Sequence, residues 1–177
     1  MSSPDSARRD AYTQLTERLR SAPRGDPEAF LDIAWSALEP TGVSWIGFYR
    51  TADDERSMLL EQCRDRPACS PIGMHGVCGQ AAKTGRTKII EDVAALGEDY
   101  VACDPRDRSE IVIPIDAPTL PGRPACRVLD LDSFQVGAFS DLDDRCLREA
   151  LEIAGLALKS DFTAGHSADD SREISPD

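Results

Sequence analysis

The chain has 177 residues, of which 41% are hydrophobic, enough for one packed domain with short extensions. Its formal net charge is −12, and Arg64, Arg66, Arg106 and Arg108 are interleaved with Asp65, Asp104 and Asp107, so no basic patch invites a nucleic acid. No stretch approaches the roughly 20 apolar residues of a membrane span, and the N-terminus lacks the apolar run of a signal peptide; a soluble, cytoplasmic protein is expected, without nucleic-acid or membrane partners.

Tyr12, Leu15 and Leu19 recur at helical spacing and predict a helix over 7–20. A second helix is expected from Asp26-Pro27, with Asp26 as cap and Pro27 at the first helical position. Phe30, Ile33, Ala34, Ala37 and Leu38 form its apolar face, and Pro40-Thr41-Gly42 ends it. Aromatic and β-branched residues over Val43–Tyr49 predict a strand, and Ser57–Gln62 reads as its hairpin partner across a polar turn. Residues 63–75 read as loop, and Gly76–Thr84 as a short helix closed by Gly85. Lys88–Ile90 is a short strand, 91–108 has no usable period, and Ser109–Ile115 and Arg127–Leu131 are strands flanking a proline-rich connection. Ser140, with Asp143 three residues on, starts a capped closing helix with its stripe over 142–158. The order predicts an α+β fold: a central antiparallel sheet with helices mainly on one face and a loop-built pocket on the other.

Six cysteines are too few to scaffold a chain of this length with disulfides, and in a reducing compartment they are inert, metal-bound or catalytic. There is no Cys-x-x-Cys, and the only histidines are His75 and His166, so no metal is expected. Cys69, Cys78 and Cys103 fall in the loop-rich centre, while Cys146 falls on an apolar helical stripe and reads as core. Arg106 and Arg108 are near enough in sequence to favour a Cys103 thiolate, with Asp104 and Asp107 opposing them. Asp130 and Asp132 are two apart on a strand and so share a face. Glu110 stands among apolar neighbours, where burial beside other carboxylates would let an acid keep its proton near neutrality. Taken residue by residue, other readings stay open: Cys78 as a packed thiol or one activated by a helix N-terminus, Trp45 and Tyr49 as ordinary core aromatics, the two aspartates as backbone caps, and His75 as a loop residue without a role.

In order along the chain come Ser44-Trp45-Ile46-Gly47-Phe48-Tyr49, Pro67-Ala68-Cys69, Gly76-Val77-Cys78-Gly79, Ala102-Cys103-Asp104, Ser109-Glu110-Ile111-Val112 and Leu129-Asp130-Leu131-Asp132-Ser133. This set resembles the free methionine-(R)-sulfoxide reductases, which are built on a GAF domain, and the likeness runs from about Trp35 to Leu158. The resemblance implies a GAF-like catalytic domain, placed over 26–159; the helical spacing before it reads as an extension (1–25), and the polar, charged composition after it predicts a mobile tail (160–177). It implies reduction of free methionine-(R)-sulfoxide, with Cys103 attacking the sulfoxide, Cys69 resolving and Cys78 as a third cysteine able to join a second disulfide. Glu110, Asp130 and Asp132 match the acids around the sulfoxide oxygen and the substrate ammonium, and Trp45 and Tyr49 match the aromatic wall. No bound cofactor is implied; thioredoxin, reduced by NADPH through thioredoxin reductase, is the implied external reductant. A homodimer through the terminal helices is compatible with the family. The chain departs from the pattern at Arg127, where a small residue is expected, and in the proline-rich 116–126 stretch.

Two other classes compete. A GAF-type sensor would hold a small molecule without turning it over, but has no need of three cysteines and three acids. A cysteine hydrolase would need a base, for which His75 is the only plausible histidine.

Overall fold

The computed structural model describes residues 4–65, 68–97, 100, 103–115 and 127–157. Helix α1 (Pro4–Leu19) turns Tyr12, Leu15 and Leu19 inward, and α2 (Pro27–Leu38) packs beside it. The start of α2 is fixed as its sequence predicts: the Asp26 carboxylate accepts from Glu28 N at 3.0 Å and Ala29 N at 3.1 Å, with Pro27 where no N–H is needed. Its buried face also takes in Leu31, which lies outside the expected stripe.

The strands are β1 (Trp45–Thr51), β2 (Ser57–Arg64), β3 (Ile72–Gly73), β4 (Lys88–Ile90), β5 (Ser109–Pro114) and β6 (Arg127–Ser133), with α3 (Val77–Thr84) between β3 and β4. They form one six-stranded sheet in the order β3-β2-β1-β6-β5-β4, with every neighbouring pair antiparallel. The first strand begins at Trp45, two residues into its apolar run, and just ahead of it Ser44 N donates to Asp132 O of β6 at 2.8 Å. The stretch read as pure loop contains β3, paired to Ser57 and Met58, and the aperiodic 91–108 segment contains a 3₁₀ turn, Val93–Leu96, capped by Asp92. The proline-rich connection 116–126 and the polar tail lie outside the described residues.

Period-two alternation divides each strand between two faces. Ile46, Phe48, Ile111, Ile113, Leu129 and Leu131 point to one face and pack under α1, α2 and α4 (Asp141–Ala154). Each such side chain taken fully out of water contributes about 1.5–3 kcal/mol. The apolar stripes of α1 and α4 are thus used within this chain's own core. On α4, Ser140 N donates to Asp143 at 2.8 Å and the Ser140 hydroxyl accepts from Leu142 N at 3.3 Å, closing the capping box. The same Asp143 accepts from Tyr12 OH at 2.7 Å and from Arg8 at 3.3 Å, a buried node tying the first helix to the last. Burial, then the Asp143 charge, raises the Tyr12 phenol well above its usual range.

Arg127, where the family pattern has a small residue, lies over the Phe48 ring at 5.8 Å. Its guanidinium also donates to both oxygens of Glu61 on β2, at 2.6 and 3.2 Å, spanning β1 from above. No helix is long and apolar enough to cross a membrane among the described residues.

Candidate active site

The opposite face of the sheet is built from the alternate residues of the same strands. Trp45, Gly47 and Tyr49 on β1 stand beside Asp132, Asp130 and Val128 on β6, and on the other flank β5 sets Glu110 directly opposite Asp132 and Val112 opposite Asp130. Three carboxylates therefore share one patch of sheet, two of them as a directly facing cross-strand pair. The Trp45 and Tyr49 rings lie 6.0 Å apart between centroids, and Gly47 between them supplies the room: a Cβ there would overlap the Trp45 ring.

Helix α3 roofs this face. Gly79 permits its close approach, since a Cβ at that position would collide with the Met74 backbone. The approach buries Cys78, whose thiol donates to Asp130 at 3.3 Å. Between sheet, helix and loops lies a cavity of about 310 Å³, at the small end of ligand pockets and suited to a molecule the size of an amino acid. It is lined by Trp45, Tyr49, Cys69, Cys78, Tyr100, Cys103, Asp107, Glu110, Asp130 and Asp132, with the 71–77 loop completing the wall.

Cys69 and Cys103 are joined as a disulfide on that wall, 34 residues apart in sequence and 5.5 Å apart at Cα. The Tyr49 hydroxyl donates to Cys69 O at 2.8 Å, fixing one side of the pair to the sheet. The other side is held by its own loop: Arg106 grips Asp104 with contacts of 2.6–3.1 Å, Asp107 N donates to Asp104 O at 3.1 Å, and Ser44 Oγ donates to Asp107 at 3.4 Å. Both arginines that could have favoured a Cys103 thiolate are committed elsewhere, Arg106 to Asp104 and Arg108 to Asp92 at 3.1 Å. The balance that the sequence left open between these arginines and the nearby acids is thus drawn toward charge pairing within the 91–108 segment.

Burial, and next the negative charge of neighbouring acids, raises all three sheet carboxyls well above the ordinary carboxylate range. For Glu110 the added charge is Asp130, with a hydrogen bond from Tyr100 opposing; for Asp130 it is Asp132, with the Cys78 thiol opposing; for Asp132 it is Glu110, then Asp107. Two facing carboxylates in a site this dry cannot both ionise readily, because each is desolvated and repelled by the other. The Cys78 thiol is likewise pushed up, first by burial and then by Asp130 and Glu110, and stands as a protonated donor. Asp107 is raised to about 6 by burial and by Asp104.

Three buried polar atoms on the cavity wall have no hydrogen-bond partner among the described residues: Trp45 Nε1, Glu110 Oε2 and Asp130 Oδ1. Orphaned buried groups of this kind are uncommon and call for a reason, of which a ligand is one. Cys78, Glu110 and Asp130 also place one ligand atom each within 4.8 Å of one another.

The structure thus brings Cys69, Cys78, Cys103, Glu110, Asp130, Asp132, Trp45 and Tyr49 to one cavity. Tyr100 and Asp107 join them without having been singled out, because they sit in the aperiodic loop where no pattern marks which side chain turns inward. His75, read as a loop residue without a role, also lines the cavity, its ring lying against Gly73. Neither Cys63 nor Cys146 lines it: Cys63 packs against the cavity-side cluster of Trp45 and Tyr49, and Cys146 packs partly buried against the helix-side core, as its position on the closing helix suggested.

No family model matches the chain. The free methionine-R-sulfoxide reductase of Saccharomyces cerevisiae is 34% identical to it over 128 residues, covering 68% of this chain and 67% of the yeast protein. The structure of free methionine-R-sulfoxide reductase from Neisseria meningitidis in complex with its substrate superposes with a TM-score of 0.68 at 30% identity, covering 88% of this chain and 89% of the other. A solved GAF domain gives a TM-score of 0.69 at 26% identity, covering 88% and 91%. The fold is that of a GAF domain: a single antiparallel sheet with a helical layer on one face and a ligand cavity on the other.

Proposed function

The chain belongs to the free methionine-R-sulfoxide reductase family, and from that premise we propose that it reduces the R-sulfoxide of free methionine using its own thiols. The observation that carries the reading is the Cys69–Cys103 pair standing on the same small cavity as Glu110, Asp130 and Asp132.

A sulfoxide sulfur accepts a nucleophile only when its oxygen is protonated or strongly hydrogen-bonded. In the proposed sequence the Cys103 thiol supplies the nucleophile. Its sulfur takes the oxygen, methionine leaves, and Cys103 becomes a sulfenic acid. The carboxyl patch supplies the proton to oxygen, a use suited to acids whose pKa burial raises. The Cys69 thiol then condenses with the sulfenic acid, forming the disulfide and releasing water before further oxidation. An external dithiol returns both cysteines to thiols and becomes a disulfide itself. We assign that role to thioredoxin, recycled by NADPH through thioredoxin reductase, in the cytoplasm where thiols stay reduced.

Selection of the free amino acid follows from charge. The substrate's ammonium offsets the mutual repulsion of the carboxylates, and a methionine within a peptide chain has no ammonium to offer. Trp45 and Tyr49 provide an apolar wall for the S-methyl group. Cys78, held as a thiol against Asp130, serves that acid as a hydrogen-bond donor and not as the attacking group.

The test is NADPH consumption by pure protein with thioredoxin and its reductase, supplied with each epimer of free methionine sulfoxide. Turnover of the R epimer and not the S epimer is expected. Binding of the sulfoxide without turnover would make the protein a GAF-type sensor and defeat the proposal.

A further inference from the structure

We propose that Cys78, Glu110 and Asp130 form a binding site for a borderline-soft divalent cation, Zn²⁺ in particular, and that the metal shuts the cavity to the sulfoxide. The binding half stands on geometry alone; the inhibition half rests on the reductase reading.

Four observations support it. Cys78 Sγ and Asp130 Oδ2 are 3.3 Å apart, close to the edge of about 3.5 Å that a tetrahedral zinc with its usual sulfur and oxygen bond lengths sets between two ligands. The ligand atoms of Cys78, Glu110 and Asp130 all fall within 4.8 Å of one another. Glu110 and Asp130 are only 5% and 6% exposed, yet Glu110 Oε2 and Asp130 Oδ1 have no hydrogen-bond partner among the described residues, so each carboxylate has a lone pair to give. Finally, Asp107, Glu110, Asp130 and Asp132 all line the cavity, and no described lysine or arginine does, so the wall carries carboxylates with no resident cation.

The donor set chooses the metal. One sulfur and two carboxylates suit zinc or cobalt, whereas magnesium and calcium call for oxygen alone. Three protein ligands leave a fourth position facing the cavity, the arrangement of an open zinc site. Binding converts the Cys78 thiol and the metal into a thiolate–metal bond and releases the thiol proton to solvent, along with any proton that the two carboxyls hold. Cys78 is outside the Cys69–Cys103 disulfide, so the site survives in the oxidised protein. Glu110 and Asp130 cannot hold a metal and serve the sulfoxide at once, which makes the two ligands mutually exclusive.

The sequence offered no sign of this. The three residues are 32 and 20 positions apart and come from α3, β5 and β6, so no ligand-spacing motif connects them.

Cobalt is the probe. Co²⁺ added to the full chain in its disulfide form should give a thiolate-to-metal charge-transfer band that saturates at equimolar metal and is displaced by Zn²⁺. Cys78→Ser should abolish the band, and Glu110→Gln should weaken binding while the thiol remains, which guards against a Cys78 variant that fails to fold. Cys63→Ser and Cys146→Ser should retain it. Absence of the band in the wild type, or its survival in Cys78→Ser, would overturn the site. In the turnover assay, Zn²⁺ at saturating level should halt reduction of the R epimer, and a chelator should restore it; full activity of zinc-loaded protein would overturn the inhibition. The spectrum needs no catalysis, so failure of the metal site and failure of the reductase reading are read separately.

Discussion

The two faces of the sheet are made by the same strands and obey opposite rules. On the helix side, Ile46, Phe48, Ile111, Leu129 and Leu131 interlock beneath α1, α2 and α4, and the buried carboxylate there, Asp143, has both oxygens engaged. On the cavity side, one residue along, stand Trp45, Tyr49, Glu110, Asp130 and Asp132, with buried polar atoms that have no partner among the described residues and carboxyls held off their ordinary pKa. The helix face holds the fold together, and the cavity face is strained by it. Substitutions on the first should cost stability, and substitutions on the second should cost activity and can return stability.

The largest effect belongs to the cavity wall. Cys103→Ser should reduce multiple turnover to background in the coupled assay, with the thermal midpoint nearly unchanged when variant and wild type are both melted fully reduced, so that no disulfide is lost. Glu110→Gln should lower kcat by about 10²–10⁴-fold, the range for a lost general acid. It should also raise stability at pH 8, because a carboxyl that burial penalises becomes a neutral amide. The sign follows from linkage. A carboxyl raised in the folded state binds its proton more tightly there than in the unfolded chain, so stability falls as pH rises from the unfolded pKa of about 4 towards the folded value. Asp107, raised to about 6, contributes such a loss between about pH 4 and 6, and the more strongly raised acids extend it upward. Urea midpoints against pH should therefore slope downward in the wild type and less steeply in Glu110→Gln; equal slopes would dissolve the contrast between the faces.

The helix face gives the opposite pattern. Asp143→Ala leaves Arg8 buried without its carboxylate and removes one half of the α4 capping box, and should cost about 3–5 kcal/mol in urea unfolding. Leu131→Ala, fully buried one residue from two of the acids, should cost about 2–5 kcal/mol while the folded fraction keeps its kcat. A large loss of kcat with little loss of stability would show that the faces are not separable. The smallest effect is at the partly exposed Arg127–Glu61 pair at the edge of the helix side, where Arg127→Ala should cost about 1 kcal/mol.

How much of this the sequence disclosed follows from the same division. Regular alternation marked Asp130 and Asp132 as neighbours on one face, and capping chemistry marked both ends where Asp26 and Ser140 start helices. What pattern could not supply was register: that Glu110 faces Asp132 depends on how β5 lies against β6, and no local spacing encodes it. Loops hid more. The Cys69–Cys103 pairing was available only through family resemblance, since the two cysteines are 34 positions apart with β3, α3 and β4 between them. Tyr100 and Asp107 belong to a segment without a period, and the arginines expected to help a thiolate instead neutralise acids of their own loop.

The central claim is that the cavity face carries out sulfoxide reduction with Cys103 and Cys69. A single-turnover reaction tests it most directly: reduced protein, free methionine-R-sulfoxide and no added reductant, with methionine and protein thiols quantified together. The account predicts a single equivalent of methionine per chain in the wild type, formed with a Cys69–Cys103 disulfide; a single equivalent from Cys69→Ser, formed without it; and none from Cys103→Ser. Methionine release by Cys103→Ser, or release from the wild type with both cysteines still reduced, would contradict it.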